Sequence, residues 1–342
     1  MRRLNMLRSA KNSANERGAT AVLVAILMVV FLGFAAISID VGMMYAERSQ
    51  LQNGADSAAL GVAYNCSSSR GCGSPTGTAG TLANSNANDT KSKVNSVTFP
   101  TTNSVQVNVS SMDSGGNDFI RLAFANIFGI STTDVGATAT AAWGPPTSGT
   151  ALPWTMGKCV FDQSLTADQK AQLAATGNFT GLPSSTHILL RSDQNANYPG
   201  CTAALGFPTG GFGWLDLTDT SKCQADIAVG TGEAGSSPGN SFPGACTDIM
   251  PTLLSSPVLI PIFSTSTAQG GQHAIYTIYG FAAFQVTGWK FNPSVHPDAL
   301  APSCTGNCRG IFGYFTKFVS LQEGLSLGTG PNLGGSIVKL TK

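Results

Sequence analysis

The residues best suited to chemistry in this sequence are its eight cysteines. They are Cys66, Cys72, Cys159, Cys201, Cys223, Cys246, Cys304 and Cys308. All eight follow an uncharged hydrophobic segment at residues 18–39. An even number of cysteines on one side of such a segment indicates disulfides formed in an oxidising compartment, so each is a disulfide candidate.

Spacing favours some pairings over others. The first two cysteines would close a small loop, with modest stabilisation because the entropic gain grows with loop length. The last two, in Cys304-Thr-Gly-Asn-Cys308, could supply two zinc ligands. A structural zinc site needs four ligands and no second pair stands out, which favours a disulfide. The remaining four can pair in three ways; the Gly-, Pro- and Ser-rich segment between Cys223 and Cys246 favours that pair.

A serine nucleophile and a histidine base would be the other candidates for chemistry. The string Gly235-Ser236-Ser237-Pro238-Gly239 matches the G-x-S-x-G pattern of a nucleophile elbow. An oxyanion hole there would use the backbone N–H of Pro238, which proline lacks, so a loop is favoured. The three histidines, His187, His273 and His296, lie in no recognisable motif for a general base. The sequence therefore predicts no enzyme, no catalytic residue, no cofactor, no metal site and no small-molecule substrate.

Aromatic residues cluster near the C-terminus and could form a surface that binds a glycan or a protein. They are Trp289, Phe291, Phe312, Tyr314, Phe315 and Phe318. Alternating aromatic residues in strands more often pack in the core or against a neighbouring strand, which is the favoured interpretation.

Charge is scarce and unevenly distributed. Charged residues make up 11% of the 342 residues. Residues 1–17 contain five basic residues against one acidic residue, a net charge of +4, while the whole chain carries +1. The rest of the chain is therefore slightly acidic and has no basic patch to neutralise phosphates, which argues against nucleic-acid binding.

The elements that carry these residues begin with a membrane anchor. Residues 18–39 contain no charged residue, and a helix of that length rises about 33 Å, enough to cross the hydrocarbon core of a bilayer. A cleaved signal peptide is the competing interpretation, but the run is long and no A-x-A site follows it. The basic segment 1–17 places the N-terminus in the cytoplasm and the cysteines outside. Apolar residues at steps of three and four then predict an amphipathic continuation to about residue 64.

The string RGATAVLVAILMVVFLGFAAISIDVGMMYAERSQLQNGADSAALGVAY, residues 17–64, closely resembles the N-terminal region of TadG-like proteins of the tight-adherence (Flp pilus) assembly system. Later strings look like the outer part of actinobacterial members: GGFGWLD, PVLIPIF, GFAAFQVTGWKF and CTGNCRGIFGYFTKFV. The resemblance implies a role in pilus assembly or in the envelope, and no known chemical activity.

Two departures from the family pattern matter. Prepilins and TadE-type pseudopilins carry Glu five residues after the cleaved Gly; counted from Gly18, that position is Leu23. We therefore expect the bond between Gly18 and Ala19 to stay uncut. Some TadG-like proteins also carry a von Willebrand A domain with a D-x-S-x-S metal motif, which this chain lacks; Asp216–Thr220 is the nearest string, and its composition is that of a turn.

Beyond the anchor, the sequence predicts an α+β protein. Residues 65–146 would form a small pilin-like α+β domain, and Gly144-Pro145-Pro146 marks its end. Residues 65–93 read as a loop, and alternating valines from Val105 to Val109 as a strand. Asn117 would cap a helix ending at Gly129, and residues 135–143 alternate as a second strand.

Residues 147–342 would form a β-rich outer domain with one short helix. Thr166-Ala-Asp-Gln169 reads as a capping box that opens this helix, which would run to about Ala175. Residues 195–250 would be long loops held by cross-links. Apolar runs at 258–260, 274–291 and 311–321 predict strands.

These features predict a single-pass protein of a bacterial cell membrane, with its C-terminal domains outside. Its function would be that of a pilus-assembly or minor pilin-like component whose partners are the lipid bilayer and other pilus or envelope proteins. The alternative is a surface adhesin or binding module unrelated to pilus assembly. An envelope hydrolase would need a nucleophile–base pair that the sequence does not offer.

Overall fold

The structure is a computed structural model that describes residues 2–68, 71–176, 186–193, 196–201, 212–230, 233–235, 242–267, 274–321 and 324–341. Four α-helices lie in this part of the chain: α1 (Arg2–Ser67), α2 (Pro75–Asn86), α3 (Lys158–Ser164) and α4 (Ala167–Thr176). Strands make up most of the rest, which confirms the predicted α+β class with a mostly-β portion after the long helix.

The chain divides into two compact units. The first contains residues 1–58, 76–98 and 106–139, and the second contains residues 59–75, 99–105 and 140–342. Both units are discontinuous in sequence, and the division into domains at 65–146 and 147–342 stays a prediction. Each unit is described by itself below.

Helix α1 carries the predicted anchor and its predicted amphipathic continuation without a break. Residues from Val22 to Ile39 expose large apolar side chains, whereas Leu51, Ala55 and Ala58 are buried. The helix ends at Ser67, whose hydroxyl donates to the carbonyl of Tyr64. The spacing of the buried residues is the stripe that the sequence predicted.

Helix α2 lies within residues 65–93, so the prediction of a loop there is wrong for Pro75–Asn86. Its sequence, rich in Gly, Ser, Thr and Asn, is poorly suited to an isolated helix. Pro75 suits its first position, and Ala79 and Ala83, four residues apart, are buried. A Cβ atom on Gly54 of α1 would lie 3.2 Å from the carbonyl oxygen of Ala83. The glycine lets the two helices pack closely, and this packing outweighs the weak local propensity.

Five strands lie between residues 92 and 144. They are β1 (Ser92–Thr101), β2 (Ser104–Ser111), β3 (Ile120–Arg121), β4 (Thr132–Thr133) and β5 (Gly136–Gly144). Strands β1, β2 and β5 are neighbours in that order, and β3 pairs antiparallel with β4. The alternating valines of β2 and alanines of β5 are buried, as predicted. Strand β1 was not predicted.

The predicted helix from Asn117 to Gly129 is absent. Asn117 donates its backbone N–H to the Asp113 carboxylate at 2.9 Å, which closes a turn instead of opening a helix. The short strand β3 follows, and then a single 3-10 helix, Ala125–Phe128. Gly129 does stop this helix in the left-handed conformation, with φ of 81°.

Fourteen further strands lie in the described part of residues 146–341. They are β6 (Pro146–Ala151), β7 (Trp154–Gly157), β8 (Ile188–Arg191), β9 (Phe212–Trp214), β10 (Ala225–Ala228), β11 (Glu233–Gly235), β12 (Val258–Ser266), β13 (Ile275–Lys290), β14 (Val295–His296), β15 (Gly310–Phe315), β16 (Phe318–Ser320), β17 (Leu325–Leu327), β18 (Asn332–Leu333) and β19 (Gly335–Leu340). The predicted apolar runs coincide with β12, β13, β15 and β16. Within the Gly-Pro-Pro string, Gly144 ends β5, Pro146 begins β6, and Pro145 alone lies between the two strands.

The largest sheet of the second unit is built around β13. Its main path runs β8-β15-β13-β12-β7-β9, and β11, β14 and β18 also pair with β13. One face of β13 contributes Phe284 and Val286 to a core that includes Phe161 of α3. The other face contributes Phe281 to a core that includes Ile227 of β10. A sheet covered on both faces explains the continuous apolar run in β13.

Helix α4 opens with the capping box that the sequence predicted. The backbone N–H of Thr166 donates to the side chain of Gln169 at 2.9 Å, and the N–H of Gln169 donates to the Thr166 hydroxyl at 3.2 Å. The preceding helix α3 was missed because its seven residues show less than two turns of periodicity.

All eight cysteines form disulfides. The pairs are Cys66–Cys72, Cys159–Cys201, Cys223–Cys246 and Cys304–Cys308. The two short-range pairs are those that spacing favoured, and the central pairing is one of the three that remained open. Every pair lies within the second unit.

Candidate functional site

The first feature of the candidate site is the exposed apolar stretch of α1. Large apolar side chains point outward all around the helix; Val29, Phe31 and Phe34 are each at least 66% exposed. In the described part of the chain this is the one helix long and apolar enough to cross a membrane. Because such a surface is unfavourable in water, the stretch fits a lipid environment.

Asp40 lies immediately after this stretch and is 4% exposed. Its carboxylate accepts hydrogen bonds from three consecutive backbone N–H groups of the first unit. Oδ1 accepts from Ala123 at 2.8 Å and from Phe124 at 3.2 Å, while Oδ2 accepts from Phe124 at 3.0 Å and from Ala125 at 2.6 Å. Hydrogen bonds to an ionised carboxylate are stronger than those between neutral groups.

These bonds cap the 3-10 helix Ala125–Phe128 from a distant element. The N-cap residue, Phe124, has no side chain that could accept from the first N–H groups, and Asp40 supplies the acceptor across a sequence separation of 84. A negative charge at a helix N-terminus also meets the positive end of the peptide dipoles. Asp40 thus joins the C-terminal end of the apolar stretch to the segment that follows β3.

The segment from Thr138 back to Ala123 follows α1 toward its N-terminus. The side-chain amide of Gln52 donates to the carbonyl of Thr138 at 3.5 Å. Farther along, Asp134–Gly136 line a groove together with α1 residues between Val41 and Arg48. Ala123–Ala125 then meet Asp40. The chain therefore runs along α1 toward the apolar stretch as it approaches the β3–β4 hairpin.

The end of this hairpin presents four large apolar side chains to solvent, which we call the apolar tip. Ile127 is 80% exposed, Phe128 72%, Ile130 56% and Phe124 37%. No charged residue occurs from Leu122 to Thr133. Isolated exposed apolar residues are common on proteins, but a group of four in one short loop marks an interaction surface.

Sequence reasoning missed both halves of this site. The sequence predicts a helix from Asn117 to Gly129, which gives no indication of a loop that exposes Ile127. Asp40 occurs in the string that resembles TadG-like proteins, and its neighbours in the sequence predict no structural role for it. A carboxylate directly after an uncharged run is the signal that could have identified it, because its burial requires hydrogen-bond partners.

The two described histidines of the second unit, His187 and His296, are held by structural contacts. His187 Nδ1 lies 2.6 Å from Asp298 Oδ2, and the same carboxylate accepts from the Thr287 hydroxyl and from the Leu300 N–H. Burial raises the pKa of Asp298, but the bonds from Thr287, Leu300 and His187 outweigh it, so the pKa is lowered. His296 stacks on Trp289 with 5.0 Å between ring centroids.

The Cys304–Cys308 loop accepts hydrogen bonds from the side chain of Lys290. The Lys290 ammonium donates to the carbonyl of Cys304 at 2.9 Å and to that of Gly306 at 3.0 Å. The loop therefore fastens the end of β13 rather than providing two ligands to a metal. Among the described residues, no group of three or more His, Cys, Asp or Glu side chains could hold a metal ion.

The remaining candidate residues from the sequence either lie in the core or lie outside the residues that the structure describes. Four of the six C-terminal aromatic residues are at most 5% exposed, which supports the packing interpretation; they are Trp289, Phe291, Phe312 and Phe315. Tyr314 and Phe318 are partly buried. His273 and the serines of the G-x-S-x-G string lie outside the described residues.

Comparisons with known proteins identify the N-terminal part. Residues 18–65 match the model of the family described as "Putative Flp pilus-assembly TadE/G-like". No curated protein and no solved structure matches the chain. The match confirms the resemblance to TadG-like proteins of the tight-adherence system, and it covers the apolar stretch, Asp40 and the buried continuation of α1.

Proposed function

From the TadE/G-like match, we propose that this protein is a membrane-anchored component of tight-adherence pilus assembly, minor pilin-like in role. The single observation that carries the proposal is the continuity of α1. One helix passes from an exposed apolar stretch into a segment buried in protein, and the family match spans both parts. Such a helix anchors a folded outer portion to a bilayer, where it can contact pilus subunits.

We further propose that the N-terminus is cytoplasmic and that the disulfide-bearing portion lies outside. The net charge of +4 on residues 1–17 supports this orientation through the positive-inside rule. Four disulfides beyond the apolar stretch support it independently, because disulfides persist in oxidising compartments.

The proposed role is structural rather than enzymatic. Support comes from the second unit, where the His187–Asp298 pair is engaged by Thr287 and Leu300 and lies against Tyr314. This arrangement links strands β13 and β15, and no cysteine is free to act as a nucleophile because all eight are in disulfides.

Deletion of the protein tests the role. We expect cells that lack it to lose pili, and re-expression of the full chain to restore them. Intact pili together with normal attachment would contradict the proposal. Normal pili with lost attachment would instead indicate the alternative, a surface adhesin unrelated to pilus assembly.

Thiol labelling of intact cells tests the orientation. Leu300 is 65% exposed in the second unit, so a Leu300→Cys variant should react with a maleimide that does not cross membranes. The matched variant Ser13→Cys, in the basic N-terminal segment, should react only after the cells are opened. The reverse pattern would refute the orientation.

The intact mass of the protein extracted from membranes tests processing. Because Leu23 replaces the glutamate of prepilins, we expect the bond after Gly18 to remain uncut. Cleavage after Gly18 would make the chain a processed pilin-like subunit, and cleavage beyond Ile39 would make it a secreted protein.

A further inference from the structure

We propose that the apolar tip enters the outer leaflet of the membrane, so that the first unit contacts the bilayer at two points, the apolar stretch of α1 and this loop. The inference rests on the proposed anchoring of α1. The occupant of the surface is the lipid at the boundary between head groups and acyl chains. The following observations carry it.

The first observation is the level at which the loop is held. Asp40 is the first charged residue after the apolar stretch, so it marks the outer boundary of the hydrocarbon core. Its carboxylate accepts hydrogen bonds from the N–H groups of Ala123, Phe124 and Ala125. These backbone atoms therefore lie at the same depth in the membrane as Asp40. Ile127, Phe128 and Ile130 follow directly, within a few residues of that boundary.

The second observation is the direction of the loop. The chain between Thr138 and Ala123 descends along α1 from the level of Gln52 to the level of Asp40. Twelve helical residues separate those two levels, a rise of about 18 Å toward the bilayer. The apolar tip lies at the end of this descent. It is therefore at the end of the first unit that is nearest to the apolar stretch of α1 and to the surrounding lipid.

The third observation is the chemistry of the tip and its surroundings. The tip is apolar, and no charge interrupts residues 122–133, so its insertion would bury no unpaired ion. Arg121 at its base is 78% exposed, and its guanidinium lies 4.0 Å from the Asp113 carboxylate. Its long, flexible side chain can also turn toward a phosphate oxygen. Tyr45, one turn beyond Asp40 on α1, is 72% exposed, and tyrosine favours the membrane interface. The apolar tip, Arg121 and Tyr45 thus each present a group that suits the lipid boundary at this level.

The rigidity of the tip supports the same conclusion. Asp40 caps the start of the 3-10 helix and Gly129 ends it in the left-handed conformation. The β3–β4 pair closes the base of the loop. Since the backbone is already ordered, insertion of the side chains requires little further loss of conformational entropy.

Depth-dependent fluorescence quenching tests the proposal on the full oxidised chain. A single additional cysteine would carry an environment-sensitive label, because all eight native cysteines are paired. The protein would be reconstituted into vesicles of phosphatidylethanolamine and phosphatidylglycerol that contain spin-labelled lipid. Ile127→Cys reports on the tip, Phe31→Cys on the anchor, and Leu300→Cys on an exposed aliphatic position of the second unit.

We expect the labels at positions 31 and 127 to be quenched by spin-labelled lipid and shielded from aqueous iodide, and the label at 300 to show the opposite. An anchor label in lipid with a tip label quenched by iodide would overturn the tip proposal and leave the anchor intact. Loss of lipid quenching at both positions would overturn the proposed anchor as well.

Shielding of the tip label from both quenchers would indicate a protein partner, such as a second copy of the chain, and would overturn the lipid assignment. Ile130→Cys provides a second reporter if Ile127→Cys fails to fold, since Ile130 is 56% exposed on the same loop. Its label must give the same result as the label at position 127, and a label at 130 quenched by iodide would count against the proposal.

Discussion

The two units of the chain are stabilised by different means. The first contains no cysteine and its buried residues are mostly alanine and valine, with Leu51 as its largest fully buried side chain. The second contains all four disulfides and a core rich in tryptophan and phenylalanine. A long helix with small residues orders its neighbours by close packing, whereas short strands joined by long loops need cross-links to offset the entropy of ordering them.

The largest effect should come from the longest cross-link in the second unit. Cys159 and Cys201 are 42 residues apart, and on loop entropy alone their replacement by Ser should lower the free energy of unfolding by about 4 kcal/mol. The matched double variant at Cys304 and Cys308, 4 residues apart, should lose about 2 kcal/mol. Denaturant unfolding followed by tryptophan fluorescence would measure both. Equal losses would show that loop entropy does not set the stability of this unit.

The first unit should instead be most sensitive to the close approach of α1 and α2. Gly54→Leu would force bulk toward the Ala83 carbonyl, and we expect a loss of about 3 kcal/mol. Gly80→Ala is the control, because nothing lies within 4 Å of a Cβ at that position; it should stabilise α2 by up to about 1 kcal/mol. Hydrogen exchange of α2 amides would report both changes. Tolerance of Gly54→Leu would refute the packing argument.

A smaller and more local effect is expected at Asp40. Asp40→Ala removes the acceptor of the Ala123, Phe124 and Ala125 N–H groups and should lower local stability by about 2 kcal/mol. The exchange of those three amides should accelerate while exchange in the second unit stays unchanged. Unaltered exchange at these amides would show that the cap is not formed in solution.

The smallest effect should be the pH dependence contributed by Asp298. Because hydrogen bonds lower its folded-state pKa, its stabilising contribution is present above the unfolded pKa of about 4 and is lost as pH falls through the lower folded value. Asp298→Asn should therefore reduce the loss of second-unit stability on acidification and cost about 1 kcal/mol at neutral pH. A wild-type acid profile in the variant would contradict this assignment.

What could be predicted from the sequence was local. Four features can each be recognised from a short piece of sequence. They are the apolar stretch, the buried stripe from Leu51 to Val62, the valines of β2 and the Thr166–Gln169 capping box. In each case periodicity or a fixed offset reflects the geometry of a single element, and the structure shows all of them.

What could not be predicted depends on distant contacts. Helix α2 forms because Ala83 packs against Gly54, and the segment after Asn117 becomes a hairpin because Asp40, more than 80 residues earlier, binds its backbone N–H groups. Local propensity favoured a loop for the first and a helix for the second. Tertiary contacts reversed both preferences.

Because α1 is unbroken, the apolar stretch has a fixed rotation about the helix axis relative to the rest of the first unit. Each residue turns a helix by about 100°. The direction of the Asp40 side chain is therefore fixed relative to the directions of the Phe31 and Phe34 side chains in the apolar stretch. One alanine inserted between Phe34 and Asp40 would swing the carboxylate a quarter-turn or more away from its loop relative to those side chains. A protein that binds one face of the apolar stretch would therefore also determine which face of the first unit is turned toward it.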